Sequence, residues 1–85
     1  MLVVRRSALK HGVTVESIEH AVTFALYWDD DAYDTEPPKI LILGPDLAGD
    51  VLELLGHVTG DDELTIFHAM RARPQILDLL TDRKE

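Results

Sequence analysis

The segment 64–73, Leu-Thr-Ile-Phe-His-Ala-Met-Arg-Ala-Arg, constrains the fold more than any other part of this chain. Its apolar periodicity predicts a strand over Leu64–Arg71. Strict alternation would place Leu64, Ile66, His68 and Met70 on one face of the sheet, and Thr65, Phe67, Ala69 and Arg71 on the other. Pro74 cannot donate to a strand ladder but suits the first turn of a helix. The chain is therefore expected to leave the sheet here and to continue as a helix.

The length and composition are those of a small globular protein. Eighty-five residues are enough for one domain (1–85) with a single small core. The absence of cysteine excludes disulfides, thiolate metal ligands and a cysteine nucleophile. No apolar run approaches the roughly 20 residues that cross a bilayer, and Arg5 and Arg6 follow the apolar residues 1–4, the reverse of the order in a secretory signal. We therefore expect a cytoplasmic protein without a membrane partner.

The net charge of −8 argues against general binding of nucleic acid, since proteins that follow a phosphate backbone are normally basic. It does not exclude a local basic patch, because the two signs of charge are separated along the chain. Five acids lie in segment 29–36 and three in segment 61–63, whereas basic residues gather at Arg5, Arg6 and Lys10 and again at Arg71 and Arg73. The sign of the surface charge is expected to vary from place to place.

Two helices are predicted before the first long apolar run. Segment 5–11 can form a short helix ended by Gly12, which tolerates the left-handed cap conformation. Thr14 is placed as an N-cap, and the apolar stripe that follows predicts a helix over Val15–Ala25. Residues 26–28 are either a short strand or the last turn of that helix.

The remainder of the chain predicts a hairpin-connected sheet and a closing helix. Segment 29–38, with three consecutive aspartates and a double proline, is predicted to be an exposed, mobile loop. The predicted strands are 39–43, 51–58 and 64–71, joined by turns at 44–50 and 59–63 and followed by a helix from Pro74 to about Thr81. The expected fold class is α+β: two N-terminal helices, a three- or four-stranded antiparallel meander and a C-terminal helix.

His68 is the first candidate for chemistry. A histidine on an apolar strand is either a core residue with one ring nitrogen hydrogen-bonded or a general acid or base, whose pKa lies near working pH. Whether His57, on the preceding strand, lies opposite His68 depends on the register between the two strands. These two histidines have no carboxylate at ligand spacing, and the aspartates of segment 29–31 lack the spacing of a calcium loop, so no metal site or other cofactor is predicted.

Two basic pairs are the second candidate. Arg71 and Arg73 alternate with Ala72, so an extended chain would place both guanidinium groups on one face, where they could hold a phosphate. Lys10 and His11, just before Gly12, are also compatible with phosphate binding. The alternatives are a solubilising helix start for the arginines and an exposed helix end for Lys10 and His11.

Two segments resemble the BrnT-type toxins of the RelE-like superfamily. One is Lys10-His11-Gly12-Val13, followed by Glu16, Ile18 and Ala21, and the other is Ile66-Phe-His-Ala-Met70, which runs into basic residues and a final helix. Members of that family are small ribonucleases, ribosome-dependent or free, encoded beside a DNA-binding antitoxin. The chain departs from them at Met70, where the family usually has an arginine, and in being less basic.

The resemblance implies a toxin of a type II toxin–antitoxin pair that cleaves RNA without a metal and inhibits translation. His68 and Arg71 would be catalytic, the first transferring a proton and the second stabilising the charge of the scissile phosphate. Lys10, His11 and Arg73 would bind the substrate. Its partners would be RNA and a cognate DNA-binding antitoxin. The rival hypothesis, which the negative charge favours, is a non-catalytic protein-interaction module of the same fold, either a degenerate toxin or a homo-oligomer.

Replacing Asp29, Asp30 and Asp31 together with asparagine should change the melting temperature little. Each substitution in a solvated loop generally changes the free energy of unfolding by no more than about 0.5 kcal/mol. Thermal unfolding of the original protein and the variant tests this. A large loss, or calcium-dependent melting of the original protein, would show instead that the loop binds an ion or packs against the core.

Overall fold

A five-stranded mixed sheet forms the centre of the structure, a computed structural model that describes residues 1–81. The strands are β1 (Leu2–Val4), β2 (Tyr27–Asp29), β3 (Ile40–Pro45), β4 (Val51–Val58) and β5 (Leu64–Arg71). Their order across the sheet is β1-β5-β4-β3-β2. A 3₁₀ turn at Arg6–Leu9, helix α1 (Val15–Thr23) and helix α2 (Pro74–Thr81) complete the α+β fold.

The N-terminal segment corrects the predicted architecture. The chain begins with a strand, not with two helices, and β1 pairs parallel to β5 with Leu2 opposite Leu64, so the sheet is not an antiparallel meander. The predicted helix over 5–11 is only the four-residue 3₁₀ turn. The physical reason is that Leu2-Val-Val contains two β-branched residues, which favour a strand, while an isolated helix of seven residues is marginal in water.

Helix α1 forms as its sequence predicts and ends two residues earlier. The Thr14 hydroxyl accepts a hydrogen bond from the Ser17 backbone N–H at 3.1 Å, which satisfies one of the free donors of the first turn. The helix then packs on the sheet, where Ala21 lies directly against Gly44 of β3. A Cβ atom at position 44 would collide with the Ala21 carbonyl oxygen, so this approach requires glycine.

The core lies between α1 and one face of the sheet, which we call the helix face. Its fully enclosed side chains are Ala8, Ile18, Ala21, Ile40, Ile42, Leu52, Leu54, Ile66 and Ala69. On the opposite face of the sheet, Leu41, Leu43 and Glu53 are also buried. The three predicted strands are present as β3, β4 and β5. Residues 27–29 form a further strand, β2, at the edge of the sheet.

A bulge in β5 changes which side chains share a face. Leu55 pairs with His68 but its neighbour Gly56 pairs with Ile66, so Phe67 has no partner on β4. Ile66 and Ala69, three residues apart, consequently both point into the core. The predicted alternation is therefore wrong beyond Phe67, and His68 lies on the opposite face of the sheet from Ile66.

Within residues 1–81, neither α1 nor α2 has the length and apolar character needed to cross a membrane.

The close approach of α1 to β3 gives a test of the fold. Gly44→Ala should destabilise the protein by about 1–3 kcal/mol or more, because the added methyl group meets backbone atoms that cannot move independently. Gly60→Ala is the matched control, since a Cβ there meets nothing within 4 Å. Urea unfolding measures both. Equal stability of the two variants would contradict the packing of α1 on β3.

Candidate functional site

The site is organised around Glu53, a carboxylate buried in the middle of β4. The residue is only 1% exposed, and its neighbours in the strand are apolar. Arg73, just after β5, satisfies the carboxylate with three hydrogen bonds. The Arg73 backbone N–H and Nε donate to Oε1, both at 3.1 Å, and Nη2 donates to Oε2 at 3.0 Å. A buried charge is tolerated when it is paired and hydrogen-bonded in this way.

This pairing decides the charge state of Glu53. Burial alone would raise the pKa of the carboxyl, but the hydrogen bonds and positive charge of Arg73 outweigh burial and lower the pKa below its ordinary value of 4.5. The same hydrogen bonds raise the pKa of Arg73. Glu53 is therefore a carboxylate and Arg73 a guanidinium cation throughout the neutral range.

His68 lies between this ion pair and a second histidine. Its Nε2 is 3.7 Å from Glu53 Oε2, and its ring meets that of His11 edge to face, with centroids 5.7 Å apart. Burial lowers the pKa of His68, and the nearby His11 lowers it further, although Glu53 opposes the shift. His68 is therefore neutral at pH 7 and able to accept a proton.

A pocket of about 250 Å³ lies beside His11 on the helix face of the sheet. Its lining comprises His11, Gly12, Val13, Thr14, Ser17, Asp46, Leu52 and Arg71. The Arg71 guanidinium also donates to Asp50 Oδ2 at 3.0 Å, and both side chains of this pair are mostly exposed. An exposed ion pair of this kind contributes little to stability, so Arg71 can exchange Asp50 for an anion bound in the pocket.

The structure brings together some of the predicted site residues and separates others. The ring of His68 meets that of His11, and His11 lines the pocket together with Arg71. His68 itself lies on the opposite face of the sheet from Arg71 and is not part of the pocket lining. Arg71 and Arg73 likewise do not share a face. Arg71 pairs with Leu52 on the helix face, whereas Arg73 binds Glu53 on the opposite face, because the strand ends at Arg71 and the chain turns into α2.

The other candidates lie further from the centre of the site. Lys10 is exposed at the end of the 3₁₀ turn and is not among the residues that line the pocket. His57 pairs with Thr65, not with His68, and its ring stacks on Phe67 with centroids 4.8 Å apart. Of the predicted site residues, His11 and Arg71 line the pocket, and His68 contacts His11 from outside it.

Sequence reasoning missed Glu53, Asp46 and Asp50. For Glu53 a signal was available, since it is the one charged residue in the apolar strand 51–58. A charge at such a position must have a partner if the strand is central. Asp46 and Asp50 lie in a turn, where aspartate is common for local reasons; the Asp46 carboxylate in fact accepts hydrogen bonds from the Ala48 and Asp50 backbone N–H groups.

The shifted pKa of His68 predicts how stability depends on pH. Because its pKa is lower in the folded protein than the ordinary value of 6.5, protonation favours the unfolded chain. The free energy of unfolding should therefore fall as the pH drops below about 6.5 and through the folded pKa. The His68→Gln variant should lose this step and keep the later loss below about pH 4.5 that the lowered pKa of Glu53 causes. Urea unfolding at a series of pH values checks this, and an unchanged slope in His68→Gln would refute the assignment.

Within residues 1–81, no group of three or more histidine, cysteine, aspartate or glutamate side chains is placed to hold a metal ion. Comparisons of the chain with protein-family models, with curated proteins and with solved structures find no significant match.

Proposed function

We propose that the protein is a toxin of a type II toxin–antitoxin pair, a metal-independent endoribonuclease that inhibits translation. One observation carries the proposal: the ring of His68 meets that of His11, 57 positions earlier in the chain, and His11 lines a pocket together with Arg71. The two segments that resemble BrnT-type toxins, 10–13 and 66–70, are thereby brought together. The proposal includes a cytoplasmic location and a cognate DNA-binding antitoxin as partner.

Two histidines, one that accepts a proton from RNA and one that donates a proton to it, are suited to RNA cleavage without a metal. A base removes the proton of a ribose 2′-hydroxyl, and the freed oxygen attacks the adjacent phosphorus. The bond from phosphorus to the 5′-oxygen breaks, and an acid protonates that oxygen, which leaves a 2′,3′-cyclic phosphate and a 5′-hydroxyl. His68 is the base in this scheme, since it is neutral at pH 7. Glu53 favours a proton on Nε2, which leaves Nδ1 free to accept one.

The remaining residues take complementary roles. His11 is the acid: it donates a second proton to the leaving 5′-oxygen, while His68 keeps the proton taken from the 2′-hydroxyl. Arg71 stabilises the negative charge that builds on the phosphate, and Lys10 holds the RNA backbone. Arg73, predicted as a substrate-binding residue, acts through Glu53 and is a positioning residue for His68.

The distribution of charge supports RNA binding in spite of the net charge of −8. The 3₁₀ turn, which carries Arg6 and is flanked by Arg5 and Lys10, lies along β5. Its Ser7 hydroxyl donates to the Phe67 carbonyl oxygen at 2.6 Å, and the Arg5 N–H donates to the Ile66 carbonyl oxygen at 2.9 Å. The acidic segment 29–36 follows β2, at the other edge of the sheet. A basic edge for RNA is thus separated from the five acids of segment 29–36.

The rival function, a non-catalytic interaction module, is favoured by a different observation. Arg71 and Arg73 are both already paired with acids, Asp50 and Glu53. In a module without catalysis these pairs would be structural, and the protein would act by binding a partner or a second copy of itself.

Separate His68→Gln, His11→Gln and Arg71→Ala variants should each lower the rate of RNA cleavage by about 10²–10⁴. The reason is that each removes a proton-transfer group or the electrostatic stabilisation of the phosphate. The measurements are growth on expression, RNA integrity with purified protein, and cooperative melting. His57→Gln is the matched control, because His57 pairs with Thr65, stacks on Phe67 and has no role in the proposed mechanism, so its loss should leave activity unchanged.

Different outcomes separate the two functions. Activity lost with melting retained supports catalysis. If His68→Gln fails to fold, His68 is a core histidine. The activity of Arg71→Ala then decides between catalysis and the interaction module. If the original protein neither slows growth nor cuts RNA in the absence of any partner, the nuclease proposal fails and the interaction module replaces it.

A further inference from the structure

A second cavity, of about 220 Å³, lies at the opposite end of β4 from the pocket that Arg71 lines. We call it the distal groove, and it is lined by Asp30, Pro37, Pro38, Ile40 and Val58. Val58 and Leu52 both lie on the helix face and are six residues apart in β4. At about 3.3 Å per residue, the distal groove is about 20 Å from the pocket that Arg71 lines.

Apolar side chains remain exposed around this groove. Val58 is 51% exposed and Trp28 is 44% exposed. Trp28 pairs with Ile42, so its ring lies on the helix face. Its Nε1 donates to Asp30 Oδ1 at 2.6 Å, which ties the ring to a residue of the groove. Leu26, two residues before Trp28 in the chain, is 60% exposed, so the apolar surface continues along the edge strand.

The groove has an acidic side. Asp30 lines it, and segment 29–36, to which Asp30 belongs, carries five carboxylates, none of which forms a salt bridge within residues 1–81. Asp29 and Asp30 instead accept local hydrogen bonds from the Asp31 N–H and from Trp28. An apolar floor with an unneutralised negative side complements a positively charged segment that carries apolar side chains.

We propose that the distal groove binds a basic segment of a protein partner, anchored by apolar side chains on Val58 and Trp28. The charge complementarity selects this occupant, and it disfavours a membrane surface, since anionic lipids would be repelled by the same acids. The proposal goes beyond the proposed ribonuclease activity and does not depend on it, because the distal groove shares no lining residue with the pocket that Arg71 lines.

A defined peptide tests the proposal. The probe is a synthetic helical peptide of about 18 residues, or five turns, with leucines on one face and lysines and arginines elsewhere. Trp28 is the only tryptophan of the chain, so its fluorescence reports binding at the groove directly. We expect a saturable change in emission that weakens as salt is raised from about 0.05 to 0.5 M, because salt screens the acidic side of the groove.

Matched variants locate the binding. Val58→Glu, which places a charge on the apolar floor, should weaken binding about tenfold or more. Asp29, Asp30 and Asp31 replaced together with asparagine should weaken binding and reduce its dependence on salt. Leu47→Glu is the control, since Leu47 is 64% exposed in the turn between β3 and β4, away from the groove. It should bind like the original protein.

Several results would overturn the proposal. These are no binding of the peptide, equal binding of a scrambled peptide with the same charge but no apolar face, and equal weakening by Val58→Glu and Leu47→Glu. Sedimentation of the protein without peptide tests whether a second copy of the chain occupies the groove. If the original protein is a dimer that Val58→Glu dissociates, the groove is filled by a second copy and not by a basic partner.

Discussion

The ion pair between Glu53 and Arg73 is the interaction on which the rest of the structure depends. Glu53 is in the middle of the sheet, and Arg73 is where β5 ends and α2 is about to begin, so their hydrogen bonds connect the last two elements to the centre. The pair is asymmetric, since the Glu53 side chain is 2% exposed and that of Arg73 47%. Water can hydrate Arg73 if Glu53 is lost but cannot reach Glu53 if Arg73 is lost. The carboxylate therefore depends on the guanidinium more than the reverse.

The same pair sets the properties of His68. The carboxylate is held by three hydrogen bonds from Arg73, so it faces His68 as a fixed neighbour and not as a mobile charge. The bulge at Phe67 supplies the second requirement, because it turns His68 to the face on which Glu53 is buried. An uninterrupted strand would have placed His68 in the core beneath α1. The irregularity of β5 thus decides whether this histidine packs or reacts.

Sequence patterns predicted those parts of the fold that local periodicity controls. Helix α1 has a capping threonine and an apolar stripe, and β3–β5 are long apolar runs, so each was recognisable alone. Strand β1 has only three residues, too few to show a period, and its partners in β5 are 62 positions away. The bulge was not recognisable in β5 because its cause is on the neighbouring strand, where Gly56 allows the backbone of Thr65 to approach. For the same reason the meeting of His11 and His68 could not be derived from spacing, whereas the lone acid of β4 could have revealed a buried pair.

The parallel pairing of β1 with β5 determines when the site can exist. Pairing two strands that are this far apart in the chain closes a long loop, and such non-local contacts form late in folding. During synthesis, residues 1–11 emerge first, but they have nothing to pair with until β5 has also left the ribosome. His11 and His68 can meet only after that step. A nascent or truncated chain without β5 therefore carries no assembled site, and whatever the two histidines do is confined to the finished molecule.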